Sequence, residues 1–246
     1  MKSVWLKRGE NSRVLLFFAG WGMDDRPFRE LQSDRYDVCV CFDYRDLDAI
    51  LDGRSGSSWP RHEASSSGLL ETSATYDTVT VVGWSFGCAV AARIMARADW
   101  PVRDALAING TVVPEDDQLG IPSHRLDATA QGLLQGGWPK FVRRMCVERT
   151  ARLHFQKRVP QRELAGALIE LDALRSLGTP EVSGFTQAIV GSRDKIIWPE
   201  NQERCWRRFG VPTRSLDVPH YPFHLWQSWE EVLALAPLLS RRQHNP

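Results

Sequence analysis

A serine between two glycines, in the pentapeptide Gly83-Trp84-Ser85-Phe86-Gly87, is the feature of this sequence that points most directly to chemistry. An apolar, strand-like run precedes it and a helix-forming run follows it, so the pattern G-x-S-x-G stands at a strand–turn–helix junction. Small residues are needed on both sides because a bulky neighbour would collide with the adjoining strand or helix. The context therefore predicts that Ser85 is a nucleophile rather than part of an ordinary Gly-Ser turn.

A serine hydroxyl also needs a general base, and a carboxylate that orients the base, each just after a later strand. Asp194 lies in a loop after an apolar run, and His220 directly follows the next such run. Two alternatives are Asp217, three residues before His220 and still on its predicted strand, and His224, one helical turn later. We predict Asp194 as the acid and His220 as the base, because each stands in a loop at the end of a strand.

The same chemistry needs two N–H groups that stabilise a developing oxyanion. The first is predicted to be the amide of Phe86, the residue after the nucleophile. The second is predicted to be the amide of Trp21, which lies in a glycine-flanked turn after an apolar run. The rings of Trp21 and Trp84 could line an acyl pocket, fill the core, or do both.

The elements that must position these residues follow from the apolar pattern. Strands are predicted at about 3–7, 13–18, 37–42, 78–83, 104–109, 185–191 and 213–218, and helices at about 27–33, 87–98, 199–208 and 225–241. Most of the strand runs lack alternation, which is typical of parallel strands buried on both faces. The sequence thus predicts an α/β fold with a mostly parallel, doubly wound sheet.

Two segments interrupt this alternation of strands and helices. Residues 52–75 are rich in Ser and Gly and weakly apolar, which predicts a flexible surface insertion. Residues 120–182 show helical patterns and no convincing strand, which predicts a helical cap inserted between late strands above the active site. The 246 residues, 1–246, are predicted to form one domain, since a single core can grow to roughly 250–300 residues.

Basic residues are concentrated in the predicted cap, although the net charge of the chain is only +1. Between Lys140 and Arg162 there are eight basic residues and one acidic residue, Glu148, which is a local charge of +7 and leaves about −6 for the remainder. The cluster fits either a solvated helical face or a binding site for an acidic partner.

The helix predicted at 138–147 orients part of this cluster. Its apolar residues recur at helical spacing and predict a face that packs onto the domain; they are Trp138, Phe141, Val142 and Met145. Lys140, Arg143 and Arg144 fall between them in the sequence and are expected to point outward.

Composition excludes several classes of protein. The sequence is 43% hydrophobic and 25% charged, as in folded globular domains rather than disordered, fibrous or membrane proteins. No run approaches the ~20 apolar residues of a membrane span and no secretory signal is evident, so we expect a cytoplasmic protein with no membrane partner. The near-neutral charge predicts no binding to nucleic acid.

The five cysteines are odd in number and form no C-x-x-C pair, so we expect reduced packing residues and no metal site.

Five stretches resemble one family, the pimeloyl-[acyl-carrier protein] methyl ester esterases of biotin synthesis, BioG type, within the α/β-hydrolases. They are FFAGWGMDDRPF at 17–28, CFDYRDL at 41–47, GWSFG at 83–87, AINGT with PEDDQLGIP at 107–122, and HYPF at 220–223. GWSFG is common to many hydrolases, whereas FFAGWGMD and DDQLGIP are much more specific. The resemblance implies an α/β-hydrolase fold with Ser85 as nucleophile, Asp194 as acid and His220 as base.

The resemblance further implies hydrolysis of the terminal methyl ester of a pimeloyl chain carried by acyl-carrier protein, with no metal or organic cofactor. Because this carrier protein is strongly acidic, docking residues are expected in the basic cluster; the candidates are Lys140, Arg143, Arg144, Arg149, Arg152 and Arg158. We expect a monomer. The alternatives are a general short-chain carboxylesterase or thioesterase with the same triad, and a non-catalytic binding protein of the same fold.

Overall fold

Seven strands form one sheet in the order β1-β3-β2-β4-β5-β6-β7 in the computed structural model, which describes residues 1–47, 76–98 and 100–235. The strands are β1 (Lys2–Lys7), β2 (Arg13–Phe18), β3 (Asp37–Phe42), β4 (Thr78–Trp84), β5 (Val102–Ile108), β6 (Gln187–Gly191) and β7 (Thr213–Leu216). Neighbouring strands are parallel except for β1, which pairs with β3 in the antiparallel sense. The predicted mostly parallel, doubly wound sheet is confirmed, and each predicted run forms a strand.

The helices lie between and after the strands. They are α1 (Gly87–Met95), α2 (Ser123–Leu134), α3 (Trp138–Cys146), α4 (Arg149–Lys157), α5 (Leu164–Arg175), α6 (Pro199–Arg208) and α7 (Trp229–Ala234), with single 3-10 turns at Arg26–Phe28 and Phe223–Leu225. No helix in the described ranges is long and apolar enough to cross a membrane.

Two helix predictions were wrong in extent. The helix predicted at 27–33 is only a 3-10 turn, because the backbone of Gln32 pairs with the chain near residue 228 instead of continuing a helix. Gln32 accepts a hydrogen bond from the Trp229 amide and donates one to the Gln227 carbonyl, both at 2.9 Å. The helix predicted at 225–241 begins only at Trp229, where the Ser228 side chain caps it by accepting from the Glu231 amide.

The remainder of that prediction, residues 236–241, lies outside the described residues, as does the insertion predicted at 52–75.

The sheet brings the residues predicted for chemistry to one edge. Phe18 of β2 pairs with Gly83 of β4, and Gly191 of β6 pairs with Leu216 of β7, so the carboxyl ends of these strands are aligned. The loops after β2, β4, β6 and β7 open at that edge, where ligands bind in open parallel sheets.

Four helices, α2 to α5, lie between β5 and β6 within the residues predicted as a cap; we call them the cap. Helix α3 turns Val142 and Met145 inward, and Trp138 and Phe141 pack partly buried against the core, as the apolar stripe predicts.

Candidate active site

The turn between β4 and α1 holds Ser85 in a strained conformation. Its φ is 58°, in the left-handed region that residues other than glycine seldom adopt. The turn is held by hydrogen bonds from the Ser85 amide to the Ile108 carbonyl and from the Cys88 amide to the Ser85 carbonyl, each 3.1 Å. This is the geometry that presents a serine hydroxyl at the end of a strand.

The two glycines of the pentapeptide explain why the turn tolerates no bulk. A Cβ atom on Gly87 would overlap the carbonyl oxygen of Phe18 in the neighbouring strand. A Cβ atom on Gly83 would lie 2.9 Å from the Cα atom of Cys88, which is closer than real Cβ atoms approach. Both positions therefore require close approach of backbone to backbone.

The structure brings Ser85, His220 and Asp194 into one hydrogen-bonded series. His220 Nε2 lies 3.0 Å from Ser85 Oγ, and His220 Nδ1 lies 2.7 Å from Asp194 Oδ2. The three residues are 5%, 1% and 4% exposed, respectively. With Nδ1 protonated and donating to the carboxylate, Nε2 is free to accept the serine proton.

Asp194 is held by donors from the following loop and from α6. Its Oδ1 accepts from the amides of Ile196 (2.7 Å) and Ile197 (3.1 Å), and its Oδ2 also accepts from Gln202 Nε2 (2.9 Å). These bonds satisfy a buried carboxylate and fix the oxygen that faces His220. Sequence reasoning missed Gln202, because no motif marks a lone glutamine on a helix.

His220 is held through its backbone. Its carbonyl oxygen accepts from Trp84 Nε1 at 2.8 Å and from Asn109 Nδ2 at 3.1 Å. Asn109 Oδ1 also accepts from the Gly191 amide at 2.6 Å, so this one side chain joins the end of β6 to the loop after β7. Asn109 was not singled out from the sequence, although it stands in the stretch AINGT. In the structure its φ is 45°, which is unusual for a residue other than glycine.

Within the described residues, neither Asp217 nor His224 joins the series of Ser85, His220 and Asp194. The Asp217 side chain is 81% exposed and pairs with Arg193 at 2.7 Å. His224 Nε2 lies 3.5 Å from Glu148, and His224 is not among the residues that line the cavity over Ser85. Burial lowers the pKa of His224, while Glu148 acts in the opposite direction.

The two predicted oxyanion donors lie beside Ser85. Trp21 and Phe86 line the same cavity as Ser85 and His220. Among the described residues, neither backbone amide donates to another protein group, so both N–H groups are available to an incoming oxygen. Their role as an oxyanion hole stays a prediction.

The cavity over Ser85 is mainly apolar and lies between the sheet edge and the cap. Helix α3 contributes Phe141 and Met145, and α2 contributes Leu126. Trp84 also lines it while being 1% exposed, so its ring fills the core and faces the site at once.

Two arginines interrupt this apolar wall. Arg125 and Arg144 each donate from Nη2 to the carbonyl of Lys195, at 3.0 and 3.1 Å. Arg125 also lies over the ring of Trp198, 4.5 Å from its centroid, and burial together with the Arg144 cation lowers the pKa of Arg125. Sequence reasoning missed Arg125, which lies outside the basic cluster.

The prediction that Arg144 points outward was wrong. It lies three residues after Phe141 and directly before Met145, so it sits at the border of the apolar face and reaches the cavity wall. Lys140 and Arg143, which lie farther from that border, are exposed as expected.

The other predicted docking residues differ in their surroundings. Arg149 is exposed, whereas Arg152 is half-buried and donates to the Val147 carbonyl. Arg158 pairs with Glu30 at 3.3 Å. Arg162, which contributes to the local charge, is internal and pairs with buried acids. The exposed positive charge is therefore smaller than the sequence count indicates.

All five cysteines are buried and free, as packing residues are. Within residues 1–47, 76–98 and 100–235, no group of three or more His, Cys, Asp or Glu side chains is arranged to hold a metal ion.

Known proteins resemble this chain over most of its length. It is 35% identical over 211 residues to a malonyl-[acyl-carrier protein] O-methyltransferase of Bacteroides fragilis (strain 638R), a match that covers 85% of this chain and 39% of that protein. The chain thus spans about two fifths of the length of that relative. It is 28% identical over 228 residues to an uncharacterized protein of Haemophilus influenzae, covering 91% of this chain and 95% of the other.

Solved structures share the fold. The crystal structure of BioG from Haemophilus influenzae matches with a TM-score of 0.76 and 26% identity, over 94% of this chain and 99% of that one. A carboxylesterase structure from Nitrososphaera gargenis matches with a TM-score of 0.65 over 95% of this chain and 92% of that one, and its 15% identity supports the fold alone. The predicted α/β-hydrolase fold is confirmed.

A family model described as pimeloyl-ACP methyl esterase BioG matches residues 1–232. With the sheet order, the serine turn and the specific stretches around Trp21 and Asn109 in place, this match over nearly the whole length is decisive. The chain belongs to the BioG family.

Proposed function

We propose that this protein is a serine esterase that hydrolyses the terminal methyl ester of pimeloyl-[acyl-carrier protein], releasing methanol, in biotin synthesis. The observation that carries the proposal is the buried series Ser85–His220–Asp194, in a chain of the BioG family. Beside it lie two backbone amides that have no acceptor among the described residues. The geometry supports acyl transfer to serine, and the family supports the choice of ester.

In the first half of the reaction, Ser85 Oγ attacks the ester carbonyl carbon while His220 Nε2 takes the hydroxyl proton. The carbonyl oxygen becomes an oxyanion, which the Trp21 and Phe86 amides stabilise. Asp194 stabilises the imidazolium. Collapse of the tetrahedral intermediate breaks the bond to the methoxy oxygen, which takes the proton from His220 and leaves as methanol.

In the second half, water attacks the acyl-enzyme with the same groups in the same roles. His220 removes a proton from the water, and the new tetrahedral intermediate expels Ser85 Oγ, which takes that proton back. The product is a free carboxylate at the far end of a chain that remains attached to its carrier.

The names of the relatives support a methyl ester as the substrate. The Bacteroides fragilis relative is named for transferring a methyl group to malonyl-[acyl-carrier protein]. An esterase of this family would remove a methyl ester from a carrier-bound acid, which is the opposite change at the same kind of group.

The cavity supports a long acyl chain with a polar end. Its apolar wall suits methylene groups, and the guanidinium groups of Arg125 and Arg144 supply donors for carbonyl oxygens farther along the substrate. On the outside of the same helix α3, Lys140 and Arg143 are exposed and would meet an acidic carrier protein. The two faces of α3 thus suit the two parts of the proposed substrate.

Three other functions are alternatives to this one. A general short-chain carboxylesterase would use the same triad without a carrier, and a thioesterase would cleave the bond between acyl chain and carrier instead of the methyl ester. A non-catalytic binding protein of this fold is the third alternative, and it would have no use for a serine held at hydrogen-bond distance from a histidine.

One assay separates them. The protein is incubated with the methyl ester of pimeloyl-[acyl-carrier protein] and, separately, with the same acyl methyl ester lacking the carrier, and methanol and the intact carrier mass are measured. We expect loss of one methyl group from a carrier that keeps its acyl chain, at a kcat/KM at least about tenfold above the carrier-free ester. Release of the unacylated carrier would indicate a thioesterase, equal rates would indicate a general esterase, and no turnover would contradict the proposal.

A further inference from the structure

The loop after β2, which carries Trp21, is bound to helix α5 of the cap by two hydrogen bonds. Trp21 Nε1 donates to the Ala167 carbonyl of α5 at 2.6 Å. On the same helix, Glu170 Oε2 accepts from the Gly22 amide at 3.2 Å. The residue proposed as an oxyanion donor is therefore held through its own side chain and through the peptide that follows it.

Glu170 is a buried carboxyl group with a hydrogen-bond donor at each oxygen. Its side chain is 0% exposed, and its Oε1 accepts from the Tyr44 amide at 2.9 Å, while Oε2 also accepts from Arg162 Nη2 at 3.0 Å. Burial raises the pKa of Glu170 above its ordinary value, although the Arg162 cation and the amides of Tyr44 and Gly22 act in the opposite direction. The donors on both oxygens suit the ionised form.

Arg162 also binds the loop that carries Trp21. Its Nη1 donates to the Met23 carbonyl at 2.9 Å, and its Nη2 lies 3.1 Å from Asp43 Oδ1. The Gly22–Met23 stretch is thus bound by a carboxylate at its amide and by a guanidinium at its carbonyl. Such charge-assisted bonds leave the loop little freedom to rotate.

We propose that Glu170 is a positioning residue. From its place on helix α5 of the cap, it sets the orientation of the Trp21 amide in the oxyanion hole. The proposal rests on the serine esterase function proposed above. An oxyanion donor is effective only when it is fixed before the reaction at the place where the charge develops. Glu170 lies outside the cavity lining and contacts no reacting atom, so its effect must pass through the loop.

The substitution Glu170→Gln keeps the size of the side chain and removes the charge. A carboxylate has only acceptors, whereas a glutamine side chain has one acceptor oxygen and an NH2 group with two donors. The NH2 group would face the N–H of either Gly22 or Tyr44, and two donors cannot form a hydrogen bond with each other. Glu163→Gln is the matched control, because Glu163 is exposed and directly precedes the same helix. Arg162→Lys is a milder second variant, which keeps the positive charge but loses the planar fork.

The experiment measures kcat and KM on a short p-nitrophenyl ester, inhibition by a trifluoromethyl ketone of matching chain length, and the thermal unfolding midpoint. Ser85 Oγ adds to the ketone carbon, the hydroxyl proton passes to His220, and the ketone oxygen becomes an oxyanion. The inhibition constant of the ketone therefore reports the oxyanion hole, whereas a purely structural role of Glu170 would leave the ratio of ketone affinity to substrate KM unchanged.

We expect Glu170→Gln to lower kcat about tenfold to hundredfold, less than the 10²–10³-fold cost of removing an oxyanion donor outright, with KM nearly unchanged. Ketone affinity should fall by a similar factor. Arg162→Lys should show the same pattern to a smaller degree, and Glu163→Gln should resemble the unsubstituted protein.

Unchanged ketone affinity in folded Glu170→Gln protein would overturn the proposal, whatever happens to kcat. If Glu170→Gln fails to fold, Arg162→Lys decides in the same way. If the unsubstituted protein neither hydrolyses the ester nor forms the ketone adduct, the proposed esterase function fails instead, so the two failures are distinguishable.

Discussion

The indole Nε1 of Trp84 donates a hydrogen bond to the backbone carbonyl of His220 at 2.8 Å, so the residue before the proposed nucleophile holds the proposed base. The two rings also lie 5.3 Å apart between centroids. The end of β4 and the loop after β7 are therefore joined directly beneath the site. A change at Trp84 should reach the chemistry through the position of His220.

Replacing Trp84 with Phe should lower kcat about tenfold, because the ring is retained while the hydrogen bond that holds His220 is lost. Trp229→Phe is the matched control: Trp229 is equally buried, and its Nε1 has no partner among the described residues. Both variants lose stability through reduced packing, which thermal unfolding measures. Only Trp84→Phe should lose kcat at a temperature where both are folded; an equal kcat for the two would contradict this role of Trp84.

The choice between the two histidines of the last loop can be tested by exchange of each for alanine. His220→Ala should lose activity by about 10³-fold or more, because the serine proton then has no acceptor. His224→Ala should keep at least about a tenth of the activity, since His224 faces Glu148 rather than Ser85. Steady-state rates on a p-nitrophenyl ester suffice, and the reverse ranking would overturn the assignment.

Charge reversal on α3 tests the docking of the carrier. Lys140→Glu with Arg143→Glu should raise KM for the carrier-bound ester severalfold and weaken its dependence on salt, since exposed charges act through screened attraction. A short p-nitrophenyl ester should be hydrolysed as before.

Arg144→Glu should impair both substrates, because Arg144 lies in the cavity wall. If the double variant also lost activity on the short ester, the effect would lie in the fold or the pocket; if it lost none on either, the two residues would be a solvated face.

Acid stability should depend on Asp43, which is buried at the end of β3. Burial alone would raise its pKa, but hydrogen bonding to Arg45, with Arg162 and Lys2 nearby, outweighs burial and lowers the pKa to about 2. Because the folded pKa lies below the unfolded value of about 3.9, this contribution to stability is complete above about pH 4 and is lost as the pH falls toward 2.

Asp43→Asn should therefore cost about 1–3 kcal/mol of unfolding free energy at neutral pH, since it leaves buried donors poorly satisfied. Asparagine tolerates the φ of 57° at this position, so the backbone is not the cause of the loss. Denaturant unfolding at a series of pH values should show the difference from the unsubstituted protein shrinking below about pH 4. Asp34→Asn, at an exposed position, is the control. A difference that stayed constant with pH would contradict the argument.

The fold was largely predictable because parallel strands buried on both faces appear in sequence as continuous apolar runs, as in Val14 to Phe18. The ends of the helices were less predictable from the sequence. Pro27 and its neighbours carry a helical pattern, but Gln32 pairs with a segment nearly two hundred residues later, and no local signal reports such a contact.

In the candidate site, the members that lie at strand ends were predictable and the residues that support them were not. Ser85, Asp194 and His220 follow strands in a fixed order, so their positions can be inferred from the sequence. Asn109 and Glu170 act through backbone groups of distant loops, and their partners become evident only when the chain is folded. Arg144 was misplaced because helical periodicity locates the centre of an apolar face better than its border.

Labelling with a fluorophosphonate, followed by peptide mass mapping, tests most directly whether Ser85 is an activated nucleophile. The reagent modifies serines whose hydroxyl is activated by a base, and an acyl-enzyme cannot form without such a serine. We predict modification at Ser85 alone, loss of ester hydrolysis in proportion to labelling, and no labelling of Ser85→Ala. An unmodified Ser85, under conditions that label an active serine esterase and with hydrolysis persisting, would contradict the account.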